Sequence, residues 1–376
     1  VHLLSDARPL AGERWLSHAL DLAMRGLGTV SPNPLVGAVI VKDGEVVGEG
    51  WHERAGEAHA EVRALDAAGD RAAGAEVYVT LEPCNHFGRT PPCTNALIKA
   101  GVARVVIGMA DPNGEVAGGG ARRLREAGVE VRFAEDPRPF EDLNEAWIKR
   151  VRTGMPWTRV KVALSLDGKA SLIAGRRARM TGPGAAAVTR RLRTLSTAVG
   201  VGAATLAVDD PGLTVRAGDG TPVERQPLRV VFSRTSVPRA GHAIFTDGLG
   251  RACVVASDRS DEGRLEAVRA AGAGVVRYPY EEGIRGALRA LAAEGVNDVL
   301  VEAGPGMLTA LWDAQAIDEL IVLQSGGMAG NAAPPLFLGR PADVGGDLDV
   351  RLRAAEAVVA GDDAAVVWRP MTDEEA

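Results

Sequence analysis

Residues 59–84 read HAEVRALDAAGDRAAGAEVYVTLEPC. His59 to Ala68 reads as a helix. Ala75 to Leu81, where valines alternate with other side chains, reads as a strand. Working outward, the same alternation recurs. Upstream, Glu13 to Gly26 carries a helical apolar face. Val36 to Val41 forms a strand that turns at Asp43-Gly44 and resumes at Val46-Val47 as a hairpin. Downstream, Thr94 to Ala100 is helical and Val102 to Gly108 a strand, and Ala121 to Ala127 with Val129 to Phe133 repeats the pair. Strands alternating with helices indicate an α/β fold with helices on both sheet faces.

Asp136-Pro137-Arg138-Pro139 interrupts the pattern, and a short helix with Leu143, Ala146, Trp147 and Ile148 follows. The polar stretch from Arg150 to Pro156 then marks a boundary, giving domains at 1–150 and 151–376. The alternation restarts beyond it. Strands are expected at Thr158–Ser165, Ala198–Val201, Leu228–Phe232, Ala252–Ala256, Gly274–Tyr278, Asp298–Val301, Leu320–Leu323 and Ala364–Trp368. Helices are expected at Gly184–Thr194, Gly263–Ala271, Gly283–Ala293 and Gly306–Ala314. This is a second α/β domain with a mostly parallel sheet.

Length and charge narrow the function classes. A chain of 376 residues suits two domains. Its net charge of −6 and lack of a basic, aromatic-rich tract argue against a nucleic-acid partner. No apolar run is long enough for a membrane span, and residues 1–14 carry Asp6, Arg8, Glu13 and Arg14 rather than a signal core. With only three cysteines, at 84, 93 and 253, a disulfide scaffold is not expected and a cytoplasmic location is. Cys253, within an apolar strand, is expected to be a core thiol.

The other two cysteines have company. His59 lies 25 positions before Cys84, and Cys93 follows nine positions later. One imidazole and two thiolates are the ligand set of a catalytic zinc with its fourth position left to water. Such a metal lowers the pKa of water towards neutrality. Glu61 is placed to take that proton and pass it to a leaving amine. On a helix, residues two apart diverge by about 200°, so His59 and Glu61 share a site only beyond the helix end. Pro91-Pro92 starts a second helix at Cys93, and two helix N-termini facing the metal favour thiolates. The His-x-Glu and Pro-Cys elements match zinc deaminases, although those have two residues between the cysteines, not eight. Asn33, held between two prolines, is a candidate for a ribose or pyrimidine edge. His52, His86 and Arg89 are candidates for substrate or its phosphate.

The longer spacing has a counterpart. Residues 31–115 resemble the deaminase domain of the bifunctional riboflavin-biosynthesis deaminase–reductases. The resemblance rests on Pro32-Asn-Pro-Leu-Val-Gly37, Gly48-Glu-Gly-Trp-His52, His59-Ala-Glu-Val62, Thr80-Leu-Glu-Pro-Cys-Asn-His86, Gly88-Arg-Thr-Pro-Pro-Cys93 and Asp111-Pro-Asn113. It implies a cytidine-deaminase-like three-layer domain whose substrate is a diaminopyrimidinone bearing ribosylamine 5′-phosphate. Water would replace its C2 amino group.

In the second half, Val199-Gly-Val-Gly-Ala-Ala-Thr205 and Val301-Glu-Ala-Gly-Pro-Gly-Met307 are strand–glycine–helix junctions, where backbone N–H groups receive phosphates. These segments, with Lys161 to Gly168, Thr205 to Arg216 and Asp318-Glu-Leu320, look like the reductase domain of the same family. The resemblance implies a dihydrofolate-reductase-like domain that uses NADPH to turn the ribosyl group into ribityl. It further implies that Ala163, Thr205, Asp209, Gly304, Pro305 and Gly306 face NADPH. Arg193, Leu213, Arg216 and Glu302 would hold the substrate, a small pyrimidine ribonucleotide. Cofactor domains of this kind often pair, so a homo-oligomer is expected. Two stretches depart from the family: Arg176, Arg177 and Arg179, the last where a tryptophan is usual, and Gly326-Gly327 in a late turn. They leave open a deaminase whose second domain only binds ligand or builds the oligomer. A nucleic-acid base deaminase and a purely structural zinc module are the remaining alternatives.

Overall fold

A computed structural model describes residues 13–85, 91–113, 119–173, 175–176, 179–337 and 352–371. The chain divides into two compact units between Gly154 and Met155. Among the described residues no helix is long and apolar enough to cross a membrane.

The first unit runs α1 (Arg14–Met24), β1 (Gly37–Lys42), β2 (Glu45–Trp51), α2 (Ala60–Ala68), β3 (Glu76–Leu81), α3 (Cys93–Ala100), β4 (Arg104–Met109), α4 (Gly119–Glu126), β5 (Glu130–Phe133) and α5 (Arg138–Thr153). Its sheet has the order β2-β1-β3-β4-β5. β1 is antiparallel to β2 and β3, while β3, β4 and β5 are parallel. Alternate residues of β1 supply two faces. Ala38 and Ile40 pack with Ala60, Ala64 and Leu97, and Val39 and Val41 pack with Ala19 and Leu22. The sheet is therefore the middle of three layers. Glycines bring the layers close: a Cβ on Gly50 would lie 2.5 Å from the Ala60 carbonyl oxygen and 2.6 Å from the Ala64 nitrogen.

The second unit runs β6 (Trp157–Leu164), α6 (Pro183–Leu195), β7 (Ala198–Gly202), α7 (Ala203–Asp209), β8 (Leu228–Ser233), α8 (Ala243–Thr246), β9 (Ala252–Ser257), α9 (Glu262–Ala270), β10 (Gly274–Tyr278), α10 (Gly283–Ala293), β11 (Asp298–Glu302), α11 (Pro305–Asp313), β12 (Glu319–Ser325), β13 (Leu352–Ala360) and β14 (Asp363–Pro370). Nine strands form one sheet in the order β10-β9-β8-β7-β11-β6-β12-β14-β13. The seven from β10 to β12 are parallel, and the β13–β14 hairpin adds antiparallel to β12. The mostly parallel sheet expected from the sequence is present. Cys253 is buried in β9, and burial pushes its thiol up to about 11, as suits an inert core thiol.

The connections leave β7 in one direction, through β8 and β9 to β10, and then return to β11 on its other side. β7 and β11 thus flank a topological switch point. The carboxyl ends of strands at such a point open onto a ligand crevice.

Candidate active sites

Each unit holds one cavity that gathers residues nominated from the sequence. In the first unit it measures about 580 Å³ and is lined by Asn33, His52, His59, Glu61 and Cys84, among others. His59 is the N-cap of α2, with φ −73° and ψ 164°. It therefore stands off the helix, which removes the angular conflict with Glu61 in the first turn. Cys84 follows the end of β3, and Cys93 is the first residue of α3. The Cys93 backbone N–H donates to Cys84 Sγ at 3.3 Å, so the start of α3 is aimed at that sulfur.

His59 Nδ1 lies 3.2 Å from Cys93 Sγ and 3.6 Å from Cys84 Sγ. All three donor atoms fall within 4.8 Å of one another. Zinc bonds of 2.0–2.3 Å in a tetrahedron put ligand atoms about 3.3–3.8 Å apart, so the donor set fits the ion. The protons are arranged to match. The hydrogen bond from Cys93 holds the Cys84 thiol down at about 4, and the same bond together with burial pushes Cys93 up. The bond to Cys84 also raises His59. Metal binding displaces the proton the sulfurs share. Glu61 is 3% exposed. Burial, then the charge on Cys84, pushes its carboxyl up to about 7, in the range useful for a group that both takes and gives a proton.

His52 supports this site from behind. Its Nδ1 meets the Ala58 carbonyl at 3.2 Å and its Nε2 meets Asn33 Nδ2 at 2.9 Å. The carbonyl can only accept and the amide nitrogen only donates, so the ring carries its proton on Nδ1. Burial lowers its pKa, which keeps it neutral. His52 thus fixes the orientation of the Asn33 amide. His86 and Arg89 lie outside the described residues.

Sequence reasoning passed over Glu82 and Arg150, which also line this cavity. Glu82 accepts from the backbone N–H groups of Ala121, at 2.9 Å, and Asp111, at 3.3 Å. Its position beside Pro83-Cys84 was the available signal. Arg150 donates to the Pro32 carbonyl at 2.7 Å and arrives on α5, with no local motif to mark it.

The second unit's cavity is larger, about 1290 Å³. Ala163, Thr205, Asp209, Gly304, Pro305 and Gly306 all line it, as do Arg193 and Glu302. The two glycine junctions meet here at the β7–β11 switch point. A Cβ on Gly304 would lie 2.9 Å from Thr205 Oγ1, so only glycine leaves this cradle open. Ser233 supplies a second sign of a missing ligand: its hydroxyl lines the cavity, is 1% exposed and has no hydrogen-bond partner. Both features fit a dinucleotide laid across the strand ends. Arg193 Nε donates to Glu302 Oε1 at 2.6 Å, and Lys161 Nζ lies 3.7 Å from Glu302 Oε2. Burial alone would raise Glu302, but these two cations outweigh it and hold the carboxyl at about 2. Lys161 and Ser233 were not nominated from the sequence, because each gains meaning only from neighbours on other strands.

Two nominated residues do not line this cavity. Leu213 is 1% exposed within the core beneath the sheet ends. Arg216 is exposed and donates to the Gly220 carbonyl at 2.9 Å across a tight turn. Arg176 and Arg179 do line the cavity, while Arg177 lies outside the described residues. Gly326 and Gly327 sit away from it; the Gly327 carbonyl accepts from Leu166 N–H at 2.8 Å.

Comparisons with known proteins agree with the two-site arrangement. Residues 11–109 match the family described as cytidine and deoxycytidylate deaminase zinc-binding region, and residues 156–366 match the RibD C-terminal domain. The riboflavin biosynthesis protein RibD of Escherichia coli K12 is 42% identical over 322 residues, covering 82% of this chain and 86% of the relative. The chain belongs to the RibD family. Solved RibD structures extend the likeness. That of Acinetobacter baumannii is 35% identical with a TM-score of 0.85, covering 96% of this chain and 98% of its own. That of Thermotoga maritima, described as a diaminohydroxyphosphoribosylaminopyrimidine deaminase/5-amino-6-(5-phosphoribosylamino)uracil reductase, is 31% identical with a TM-score of 0.81, covering 95% and 98%. The chain is accordingly a riboflavin-biosynthesis enzyme of two activities, a zinc-dependent deaminase and an NADPH-dependent reductase. Relatives match through both halves, so the reading of the second half as a domain without reductase chemistry is not favoured.

Proposed function

We propose that the first cavity deaminates 2,5-diamino-6-ribosylamino-4(3H)-pyrimidinone 5′-phosphate. The second then reduces the ribosyl group of 5-amino-6-ribosylaminouracil 5′-phosphate to ribityl. The observation that carries this reading is the gathering of His59 Nδ1, Cys84 Sγ and Cys93 Sγ beside the buried Glu61 in one cavity. His59, Cys84 and Cys93 would hold the zinc, which when bound would lower the pKa of a water towards neutrality. Glu61 would take a proton from the attacking water and deliver it to the amino group that leaves as ammonia. Asn33, oriented by His52, receives the pyrimidine or ribose edge. His86 and Arg89 belong to the same substrate set.

In the second cavity, NADPH supplies the hydride. The backbone N–H groups of Ala203 and Ala204 and of Gly306 and Met307, at the starts of α7 and α11, would face its diphosphate, with Thr205 and Asp209 alongside. Ala163 and the unsatisfied hydroxyl of Ser233 would border the cofactor elsewhere in the cavity. Lys161, Arg193 and Glu302 form the polar wall that faces the substrate's hydroxyls. The division into a deaminase domain and a reductase domain follows the two units. Free thiols and the acidic balance suit a cytoplasmic enzyme that binds neither nucleic acid nor membrane. A homo-oligomer is part of this reading because cofactor domains of this kind often pair.

The test is an assay of the purified chain with the diaminopyrimidinone ribonucleotide and NADPH, following ammonia and NADPH separately. Both should change, ammonia first. Ammonia release without NADPH loss would establish a deaminase alone.

A further inference from the structure

Pro32, Asn33 and Pro34 line the first cavity, and Leu35 follows them shortly before β1. Two prolines among these four residues leave the segment only two backbone N–H donors, on Asn33 and Leu35. The Asn33 N–H closes a turn onto the Val30 carbonyl at 2.8 Å. The β1 ladder begins only at Gly37, so sheet pairing does not fix the segment. Side chains of α5 fix it instead. Asn144 Oδ1 accepts from the Leu35 N–H at 2.8 Å, and Asn144 Nδ2 donates to the Leu35 carbonyl at 3.0 Å. Arg150 donates to the Pro32 carbonyl at 2.7 Å. Asn144 is 2% exposed, and Trp147, Arg150 and Val151 line the cavity, so α5 is one of its walls.

We propose that Asn144 and Arg150 are positioning residues of the deamination, setting the backbone of residues 32–35 so that the Asn33 amide meets the substrate. This rests on the deaminase reading above, with Asn33 as a substrate contact. The Asn144 amide takes both polar groups of Leu35, as a residue of a neighbouring strand would. Arg150 takes the other end of the segment, and Asn33 lies between the two anchors. They stand six residues apart on α5, about 9 Å of helix. The stretch from Pro32 to Leu35 reaches at most about 10–11 Å, so two anchors at that spacing leave it little slack. His52 turns the Asn33 amide at 2.9 Å, and α5 fixes the backbone from which that amide projects. A contact group displaced by about 1 Å can cost about 10²-fold in rate. Neither α5 residue needs to touch the substrate to have such an effect.

Deamination by the full zinc-loaded chain would be measured for Arg150→Ala, Arg150→Lys, Asn144→Asp, Asn33→Ala, and Arg150→Ala combined with Asn33→Ala. Aspartate at 144 keeps an acceptor for the Leu35 N–H but turns a carboxylate oxygen towards the Leu35 carbonyl. In Arg150→Ala and Asn144→Asp, kcat/KM for ammonia release should fall about 10- to 100-fold, carried by KM. Arg150→Lys should regain part of the loss, because an ammonium also donates to a carbonyl. Zinc content and the reduction of the deaminated ribonucleotide by NADPH should match the wild type, which a general loss of structure would not allow. In the Asn33→Ala background, Arg150→Ala should cost no more than about twofold further, because its effect passes through Asn33. Full additivity overturns the proposal and places Arg150 on the substrate itself. So does an unchanged KM, or ammonia release lost in proportion to zinc. If Asn144→Asp fails to fold, the Arg150 variants, in the last turn of α5, decide the matter alone.

Hydrogen exchange of the Asn33 amide gives an arm free of turnover, since that amide bonds to neither α5 residue. It should quicken in Arg150→Ala, and unchanged exchange overturns the proposal. If the wild-type chain releases no ammonia, the deaminase reading falls, while quickened Asn33 exchange still upholds the clamp on its segment.

Discussion

Glu61 shows how one side chain's environment sets its work. At 3% exposed it sits where a carboxylate is poorly solvated, and its pKa of about 7 follows from that burial first. An amide in its place would keep the size and the cavity but could neither take nor give a proton. Glu61→Gln should therefore lower ammonia release by about 10²- to 10⁴-fold, with one zinc per chain retained by metal analysis. Loss of zinc in that variant would mean that Glu61 is part of the metal's support instead. At this scale the residues themselves spelled out the chemistry of the first cavity, whereas those lining the second, such as Thr205, Arg193 and Glu302, were reached through family resemblance. His59, Glu61, Cys84 and Cys93 are recognisable because metal chemistry demands particular residue types at short spacings. Lys161 and Ser233 are common residues in ordinary settings, and they become informative only when Glu302, Arg193 and the switch point are brought beside them.

Among the elements, α2 and β2 matter most to the zinc site, because the chain places His59 by seating the helix on the strand. Gly48 and Gly50 remove side chains where the two meet. Building a Cβ at Gly50 would place it 2.5 Å from the Ala60 carbonyl and 2.6 Å from the Ala64 nitrogen. Backbone atoms cannot yield as a side-chain tip can, so Gly50→Ala must lift the first turn of α2 from the sheet. Its expected cost is about 1–3 kcal/mol, the range for overpacking, and the displaced atoms adjoin His59. A lower melting temperature and faster zinc loss on dialysis would show it; a variant that keeps its zinc as tightly as the wild type would refute the coupling. Most elements were readable from hydrophobic period, and the misreadings have physical causes. Pro139 reads in sequence as a break, yet it lies at the start of α5, where its missing N–H costs nothing. The helix then runs on to Thr153, past the boundary drawn at 150. β13 went unseen because it is an edge strand whose exposed alanines and Glu356 carry no clear apolar alternation.

Over the whole molecule, two α/β units each carry a complete cavity of their own. Residues 32–151 line the first and residues 161–334 the second. The doubled architecture was visible as an alternation that stops at a polar stretch and restarts. The strand order was not, because which strands pair is decided by long-range packing rather than by local period. That order creates the switch point between β7 and β11, and with it the crevice proposed for NADPH. Since the proposed zinc ligands His59, Cys84 and Cys93 all lie within the first unit, removing the metal should act on one activity alone. After dialysis against a chelator, the chain should release no ammonia from the diaminopyrimidinone ribonucleotide. It should still oxidise NADPH when given the deaminated ribonucleotide, at close to the untreated rate. Adding zinc back should restore ammonia release without altering that rate. A parallel loss of both activities would show that the second cavity depends on the metal-bearing unit for its shape.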